Sequence, residues 1–140
     1  MSICIAHTFD LSIFKTYQMK KILIVDDTLQ ILEELRDILM MEGYEVTIAT
    51  GAYLGIAQAL VTKPDLIITD IIMPEMDGFG FISNIKTIDE SRFTPIIVLS
   101  SKSGKEDIQR ALFLCADIYL KKPCSADELI GSVDYLLRTA

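Results

Sequence analysis

The chain contains short apolar runs that alternate with longer stretches in which apolar residues recur at helical spacing. The runs are KILIV, YEVTIAT, DLIIT, PIIVL and IYLK. Apart from YEVTIAT they are strongly apolar and rich in Ile, Val and Leu, which is typical of strands buried on both faces of a parallel sheet. The pattern therefore predicts five strands with a helix after each.

The predicted helices each have an apolar face at spacings of three and four residues. The second, over residues 51–62, has the weakest pattern. The other four faces are Ile31, Leu32, Leu35, Ile38 and Leu39; Phe79, Ile82 and Ile85; Ile108, Ala111 and Leu112; and Leu129, Ile130, Val133, Leu136 and Leu137. Thr28 is the candidate N-cap of the first helix and Gly43 its stop, while Ser125 and Glu128 form a capping box that begins the last helix.

The alternation predicts a flavodoxin-like (βα)5 fold, a doubly wound parallel sheet with strand order 2-1-3-4-5. We assign residues 20–140 to this domain and residues 1–19 to an N-terminal extension that is expected to be loosely ordered. The extension has apolar residues at alternate positions, so an added strand is the alternative. It lacks a basic leading region and a small-residue cleavage pattern, which disfavours a signal peptide.

Composition narrows the functional classes. With 140 residues, a net charge of −7 and a pI of about 4.6, the chain is a poor candidate for a nucleic-acid surface, which needs clustered Lys and Arg. The three cysteines have no paired spacing, so neither a disulfide framework nor a zinc site is expected. The unpaired cysteines instead fit a reducing cytosol, so a cytoplasmic protein is expected. Charged residues interrupt every apolar stretch well before about 18 residues, which predicts no membrane span.

Polar side chains follow four of the predicted strands. Asp26 and Asp27 follow KILIV, Asp70 follows DLIIT, Ser100 follows PIIVL, and Lys122 follows IYLK. Because the carboxyl ends of parallel strands open into one crevice, we expect these side chains to meet there. Three crowded carboxylates repel one another unless a cation neutralises them, and carboxylate oxygens suit Mg²⁺. The pattern predicts a metal-assisted phosphoryl-acceptor site.

Each of these residues also has a simpler interpretation. The two adjacent acids can cap the first helix, although two exceed what a cap requires. Asp70 can be an ordinary turn residue, and Ser100 can cap the fourth helix. Lys122, which precedes a proline, can merely end a strand. Asp77-Gly78 is interpreted as a helix-start turn rather than as part of a site.

Four segments together resemble the response-regulator receiver domains of two-component signalling, over roughly residues 20 to 138. They are KKILIVDD, TDIIMPEMDGFGFI, PIIVLSS and ADIYLKKPCS, in the order and spacing of that family. The resemblance implies that Asp70 is the phosphoacceptor and that Lys122 and Ser100 contact the phosphoryl oxygens. It also implies an Mg²⁺ site formed by Asp26, Asp27, Asp70 and the backbone carbonyl of Ile72, and a cis bond between Lys122 and Pro123.

The resemblance further implies a conformational switch. Tyr119 is the aromatic residue that would turn inward when Ser100 moves toward the phosphoryl group, and this motion would remodel the face formed by the fourth helix, fifth strand and fifth helix. Ile72 and Lys102 would flank the path of the hydrolytic water, so a persistent phospho-form is expected. Ile118 replaces an aspartate used in a common dimer of the family, which disfavours that mode of association.

The implied protein is a single-domain response regulator, a switch that catalyses only its own phosphorylation and dephosphorylation. Its implied partners are a sensor histidine kinase or histidine phosphotransfer protein as donor, a downstream protein target, and a second copy in a phosphorylation-dependent dimer. A phosphorelay intermediate is the alternative. A haloacid-dehalogenase-like phosphatase needs an aspartate where Ile72 stands, and a flavodoxin-like electron carrier would bind phosphate where Asp26 and Asp27 repel it.

Overall fold

The computed structural model describes residues 18–139, which form five strands and five helices in strict alternation. The strands are β1 (Lys21–Val25), β2 (Glu45–Ala49), β3 (Leu66–Thr69), β4 (Ile96–Ser100) and β5 (Ile118–Lys121). The helices are α1 (Leu29–Met41), α2 (Ala52–Thr62), α3 (Gly78–Thr87), α4 (Lys105–Phe113) and α5 (Ala126–Thr139). The predicted extension lies outside the described residues except for its last two, Gln18 and Met19, so its order and the division at residue 20 stay predictions.

The five strands form one parallel sheet in the order β2-β1-β3-β4-β5, which confirms the predicted flavodoxin-like topology. In register, Val25 pairs with Thr69 of β3 and with Ala49 of β2, so β1, β2 and β3 end side by side. Ser100 and Lys121 are paired at the corresponding end of β4 and β5. The loops that follow the strands therefore open at one edge of the sheet.

Helices cover both faces of the sheet. Alternate strand residues such as Leu23 and Val98 pack on one face with α2, α3 and α4. Their neighbours, such as Ile24 and Leu99, pack on the other face with α1 and α5. The central strands β3 and β4 are buried from end to end, and β1 is buried from its second residue on, because each has helices on both sides. The apolar runs in the sequence are thus explained by burial on two faces.

The predicted helix faces agree with the structure except in α4. Ala111 is fully buried, but Leu112 is 49% exposed because the nine-residue α4 lies against the edge strand β5 and buries little of its surface. Thr28 is the N-cap residue of α1, but its side chain makes no capping bond. Ser125 does cap α5, since its hydroxyl accepts a hydrogen bond from the backbone N–H of Glu128. No helix within residues 18–139 is long and apolar enough to cross a membrane.

Candidate functional site

The loops at the carboxyl ends of β1 and β3 bring three carboxylates together. One carboxylate oxygen from each of Asp26, Asp27 and Asp70 lies within 4.8 Å of the others. Asp26 and Asp70 are buried, with 2% and 6% of their surface exposed, whereas Asp27 is exposed. The acid pair predicted as a metal site therefore has one member facing into the protein and one facing solvent.

Lys122 connects β5 to this cluster. Its ammonium nitrogen, Nζ, lies 2.7 Å from Oδ2 of Asp26 and 2.9 Å from Oδ2 of Asp70. The peptide bond between Lys122 and Pro123 is cis. The sequence predicts that Lys122 meets the aspartates at one edge of the sheet, but only the tertiary distances reveal that it contacts Asp26 as well as Asp70. One ammonium thus serves two buried carboxylates.

Asp70 is held by backbone as well as by side chains. Its Oδ1 accepts hydrogen bonds from the amides of Ile71 and Ile72, at 2.6 and 3.2 Å. Burial alone would raise the pKa of Asp70, but the Ser100 hydroxyl, the Lys122 ammonium and the Ile72 amide stabilise the charged form and lower the pKa below its ordinary value. Asp70 is therefore an ionised carboxylate with a fixed orientation, as a nucleophile requires.

Asp26 and Lys122 have pKa values shifted by the same contacts. Burial raises the pKa of Asp26 above its ordinary value, despite hydrogen bonds from Lys122 and from the Thr28 amide that act in the opposite direction. Burial alone would lower the pKa of Lys122, but its hydrogen bonds to the two aspartates raise it. Lys122 is consequently a fixed positive charge at neutral pH.

The acid cluster fits a divalent cation on its own chemistry. Three carboxylates face one ammonium, so the cluster retains negative charge that Lys122 does not neutralise. All the side-chain donors are hard oxygens, the ligand type that Mg²⁺ prefers. Ile72 follows Asp70 by two residues, and its amide already binds that carboxylate, so its backbone lies next to the cluster. The three aspartates therefore fit a divalent cation, and the Ile72 carbonyl as a further ligand stays a prediction.

Ser100, Lys102 and Tyr119 form a second group beside the cluster. The Ser100 hydroxyl accepts a hydrogen bond of 3.2 Å from the Lys102 amide, and the Tyr119 hydroxyl donates to the Lys102 carbonyl. Burial raises the pKa of Tyr119, and the Asp107 carboxylate raises it further. The ammonium of Lys102 lies 3.7 Å from Oδ1 of Asp107. Ile72, the other residue predicted to flank the path of the hydrolytic water, lies on the loop after Asp70 with its side chain exposed. The backbone of Lys102 is therefore held at its amide by Ser100 and at its carbonyl by Tyr119.

Gly78, the first residue of α3, lies against the backbone of Asp70. A Cβ atom built on Gly78 would lie 2.2 Å from the Asp70 carbonyl oxygen, and the Gly78 amide donates to the Ile71 carbonyl at 2.8 Å. The preceding residue, Asp77, is the N-cap of α3 and accepts from the Gly80 amide, which confirms the predicted helix-start turn. No motif in the sequence connects Gly78 with the site, although a glycine after a capping aspartate permits such a close approach.

Comparison with known proteins places these features in a family. The family described as response regulator receiver domain matches residues 22–134. Protein PilG of Pseudomonas aeruginosa is 34% identical over 113 residues, which cover 81% of this chain and 84% of PilG. The transcriptional regulatory protein PrrA of Mycobacterium leprae is 36% identical over 118 residues, which cover 84% of this chain. The match spans only half of PrrA.

Solved structures give the same result. The chemotaxis protein CheY4 of Vibrio cholerae superposes with a TM-score of 0.82 at 32% identity, over 86% of this chain and all of that one. A CheY-like response regulator receiver domain protein from Methanospirillum hungatei superposes with a TM-score of 0.83 at 30% identity, over 87% of this chain and 96% of that one. Both similarities cover the alternating strands and helices that form the candidate site.

Proposed function

Because the chain belongs to the response regulator receiver domain family, whose members are regulatory switches, we propose that Asp70 accepts a phosphoryl group from a phosphohistidine donor. The observation that carries the proposal is the environment of the Asp70 carboxylate. It is buried and ionised, it accepts two backbone amides on Oδ1, and it contacts the Lys122 ammonium on Oδ2.

In the proposed step, a carboxylate oxygen of Asp70 attacks the phosphorus, and the P–N bond to the donor histidine breaks. The histidine nitrogen retains the electron pair of that bond, while Asp70 becomes an acyl phosphate. Negative charge moves outward from the carboxylate onto the phosphoryl oxygens. Lys122 and the Ser100 hydroxyl are the fixed partners that would stabilise this charge, so the chain contributes positioning and electrostatics.

Asp26, Asp27, Asp70 and the backbone carbonyl of Ile72 would hold Mg²⁺ beside Asp70. The ion would supply positive charge that lets an anionic phosphodonor approach three carboxylates. The chain's own part is to keep these oxygens close together. Asp26 is held in place by the Thr28 amide, which donates to its Oδ1, and by the Lys122 ammonium, which donates to its Oδ2.

We propose that phosphorylation is read out on the face formed by α4, β5 and α5. Ser100 would turn toward the phosphoryl group, and Tyr119 would report this movement because both side chains contact the backbone of Lys102. A downstream protein, or a second copy of the chain in a phosphorylation-dependent dimer, would recognise that face. The donor is a sensor histidine kinase or a histidine phosphotransfer protein.

A groove beside Lys122 supports a protein donor. It has a volume of about 460 Å³ and is lined mainly by apolar side chains of α1 and of the loop after β5, among them Leu35, Pro123 and Cys124. A protein that brings a phosphohistidine to Asp70 would pass over this groove. We assign the exchange to the cytoplasm, which the free thiols of Cys115 and Cys124 favour.

The test is phosphorylation of the full chain by phosphoramidate, a small donor with a P–N bond, in the presence of Mg²⁺. Intact mass is measured for wild type, for Asp70→Asn and for the control Asp89→Asn, which changes an exposed aspartate remote from the cluster. Wild type and control should gain one phosphoryl group, and Asp70→Asn should gain none. Excess chelator should slow the reaction of wild type. Phosphoryl mass on Asp70→Asn at the wild-type rate would contradict the assignment.

A further inference from the structure

The solvent-facing side of α2 is apolar. The helix has the sequence AYLGIAQALVT, in which no residue carries a charge. Its exposed large apolar residues are Tyr53, Leu54, Leu60 and Val61, with 59, 45, 50 and 79% of their surfaces accessible. Together with the exposed Ala57 they fall at spacings of three, four and seven residues, so they form one continuous stripe. We name these five residues the α2 stripe.

The stripe differs from the outer face of α1, whose exposed large apolar residues, Leu29, Met40 and Met41, lie only at the two ends of the helix. The exposed positions of α1 include Glu33, Glu34 and Asp37. A surface helix normally has such polar residues on its solvent side, and a continuous apolar patch there marks a contact surface. The α2 stripe is therefore expected to be covered by apolar side chains.

The chain enters the described fold beside the carboxyl end of this helix. The amide of Lys21 donates to Oδ2 of Asp65 at 2.8 Å, and its ammonium donates to the carbonyl of Thr62, the last residue of α2, at 3.4 Å. Residues 18–21 line a small cavity together with Lys63 and Asp65. The residues before Gln18 consequently start next to the carboxyl-terminal end of the α2 stripe.

The composition and the length of that preceding segment fit the stripe. Residues 1–17 contain two formal charges, Asp10 and Lys15, and many apolar side chains. The large apolar ones are Met1, Ile3, Ile5, Phe9, Leu11, Ile13, Phe14 and Tyr17. At about 3.3 Å per residue, 17 residues reach up to about 56 Å, whereas the eleven-residue α2 is about 16 Å long. The segment is long enough to run along the whole stripe.

A second copy of the chain is a weaker candidate for this surface. A helix face about 16 Å long and about 10 Å wide is far smaller than the roughly 800 Å² per partner that a stable interface buries. A segment of the same chain needs less area, because its tether gives it a high effective concentration at the stripe. We propose that residues 1–17 dock on the α2 stripe and cover it.

The first test is a thermal double-mutant cycle in the full chain, with Val61→Lys and Phe14→Ser. Val61 is so exposed that a lysine there leaves the core intact. If the segment covers the stripe, Val61→Lys should lower Tm by about 3 °C in wild type and by less than about 1 °C in the Phe14→Ser background. Additive shifts would overturn the proposal. The control is Asp37→Ala on α1, whose small effect should be the same in both backgrounds.

The second test uses Cys4, which lies in the segment. In a Cys115→Ser, Cys124→Ser background, Ala57→Cys places a thiol in the middle of the stripe, and Glu33→Cys places one on α1, across the sheet. Oxidised glutathione is added as the oxidant; it converts two protein thiols to a disulfide and is itself reduced. Cys4 should form an intrachain disulfide at least about tenfold faster with Ala57→Cys than with Glu33→Cys. Equal rates, or disulfides between two chains, would overturn the proposal.

Discussion

Replacing Gly78 by alanine should damage both the fold and the site. The added Cβ would lie 2.2 Å from the Asp70 carbonyl oxygen, 2.6 Å from Cα of Ile71 and 3.0 Å from the Asp70 carbonyl carbon. Ordinary van der Waals contact begins at 3.4 Å. All three atoms belong to the backbone, so no side chain can rotate away. Either α3 or the loop that carries Asp70 must move.

The magnitude follows from the cost of overpacking. Forcing a methyl group against a rigid neighbour costs about 1 to 3 kcal/mol, and backbone contacts lie at the upper end. Alanine recovers little through helix propensity, because Gly78 is the first residue of α3 rather than an interior one. We therefore expect Gly78→Ala to lower the free energy of unfolding by about 3 kcal/mol.

The assay is urea unfolding followed by circular dichroism, together with the rate of phosphorylation by phosphoramidate. Gly131→Ala is the matched control, since a Cβ there meets nothing within 4 Å and the residue lies inside α5. The control should gain about 0.5 to 1 kcal/mol and keep its phosphorylation rate. A Gly78→Ala protein within about 0.5 kcal/mol of wild type, or one that is phosphorylated at the wild-type rate, would refute the reasoning.

Three further predictions concern charge, hydrolysis and pH. Without Mg²⁺, Lys122→Ala should lose about 2 kcal/mol of stability in urea unfolding, because Asp26 and Asp70 stay buried without a counter-charge. Mg²⁺ should restore much of this loss, and a variant as stable as wild type in chelator would argue against a charge role for Lys122. The phosphorylated double variant Ile72→Asn, Lys102→Ala should lose its phosphate several-fold faster than wild type, as followed by intact mass with Lys105→Ala as the control. Equal or slower loss of phosphate would refute the idea that these two side chains shield the acyl phosphate from water. Burial and the hydrogen bond to Asp134 raise the pKa of Tyr44 to about 12. The Tyr44–Asp134 hydrogen bond stabilises the fold by about 1 kcal/mol for this partly exposed pair; this stabilisation is present below the unfolded-state pKa of about 10 and is lost as the pH rises toward 12. In thermal melts Tyr44→Phe should lack this alkaline loss of stability, and a dependence of Tm on pH equal to that of wild type would contradict the assignment.

The fold could be predicted from sequence because the strand signal is a consequence of burial on two faces. Ile22, Leu23, Ile24 and Val25 alternate between the two core clusters, so every one of these positions of β1 must be apolar. The polar residue that follows such a run marks the end of the strand. Placing Asp26 at the carboxyl edge of the sheet therefore needed no tertiary information.

Features that depend on distances between elements could not be predicted in this way. The contact of Lys122 with Asp26 joins residues 96 positions apart, and nothing local distinguishes it from the contact with Asp70. The close approach of Gly78 to Asp70 depends on where α3 begins relative to β3. The spacing of Leu112 places it on the apolar face predicted for the fourth helix, but the position of α4 against an edge strand leaves it half exposed.

The arrangement around Lys102 gives the proposed switch a physical route. The Lys102 amide donates to the Ser100 hydroxyl and the Lys102 carbonyl accepts from the Tyr119 hydroxyl, so the backbone of one residue links the residue beside Asp70 to the aromatic residue on β5. When Asp70 becomes an acyl phosphate, new acceptor oxygens compete for the Ser100 hydroxyl. If Ser100 turns toward them, the Lys102 amide loses its partner, and the backbone of Lys102, whose carbonyl holds Tyr119, becomes free to shift. Because each contact in this route is a hydrogen bond worth about 1 kcal/mol, a single phosphoryl group would be enough, under the proposed function, to change the balance between two arrangements of the α4, β5 and α5 face.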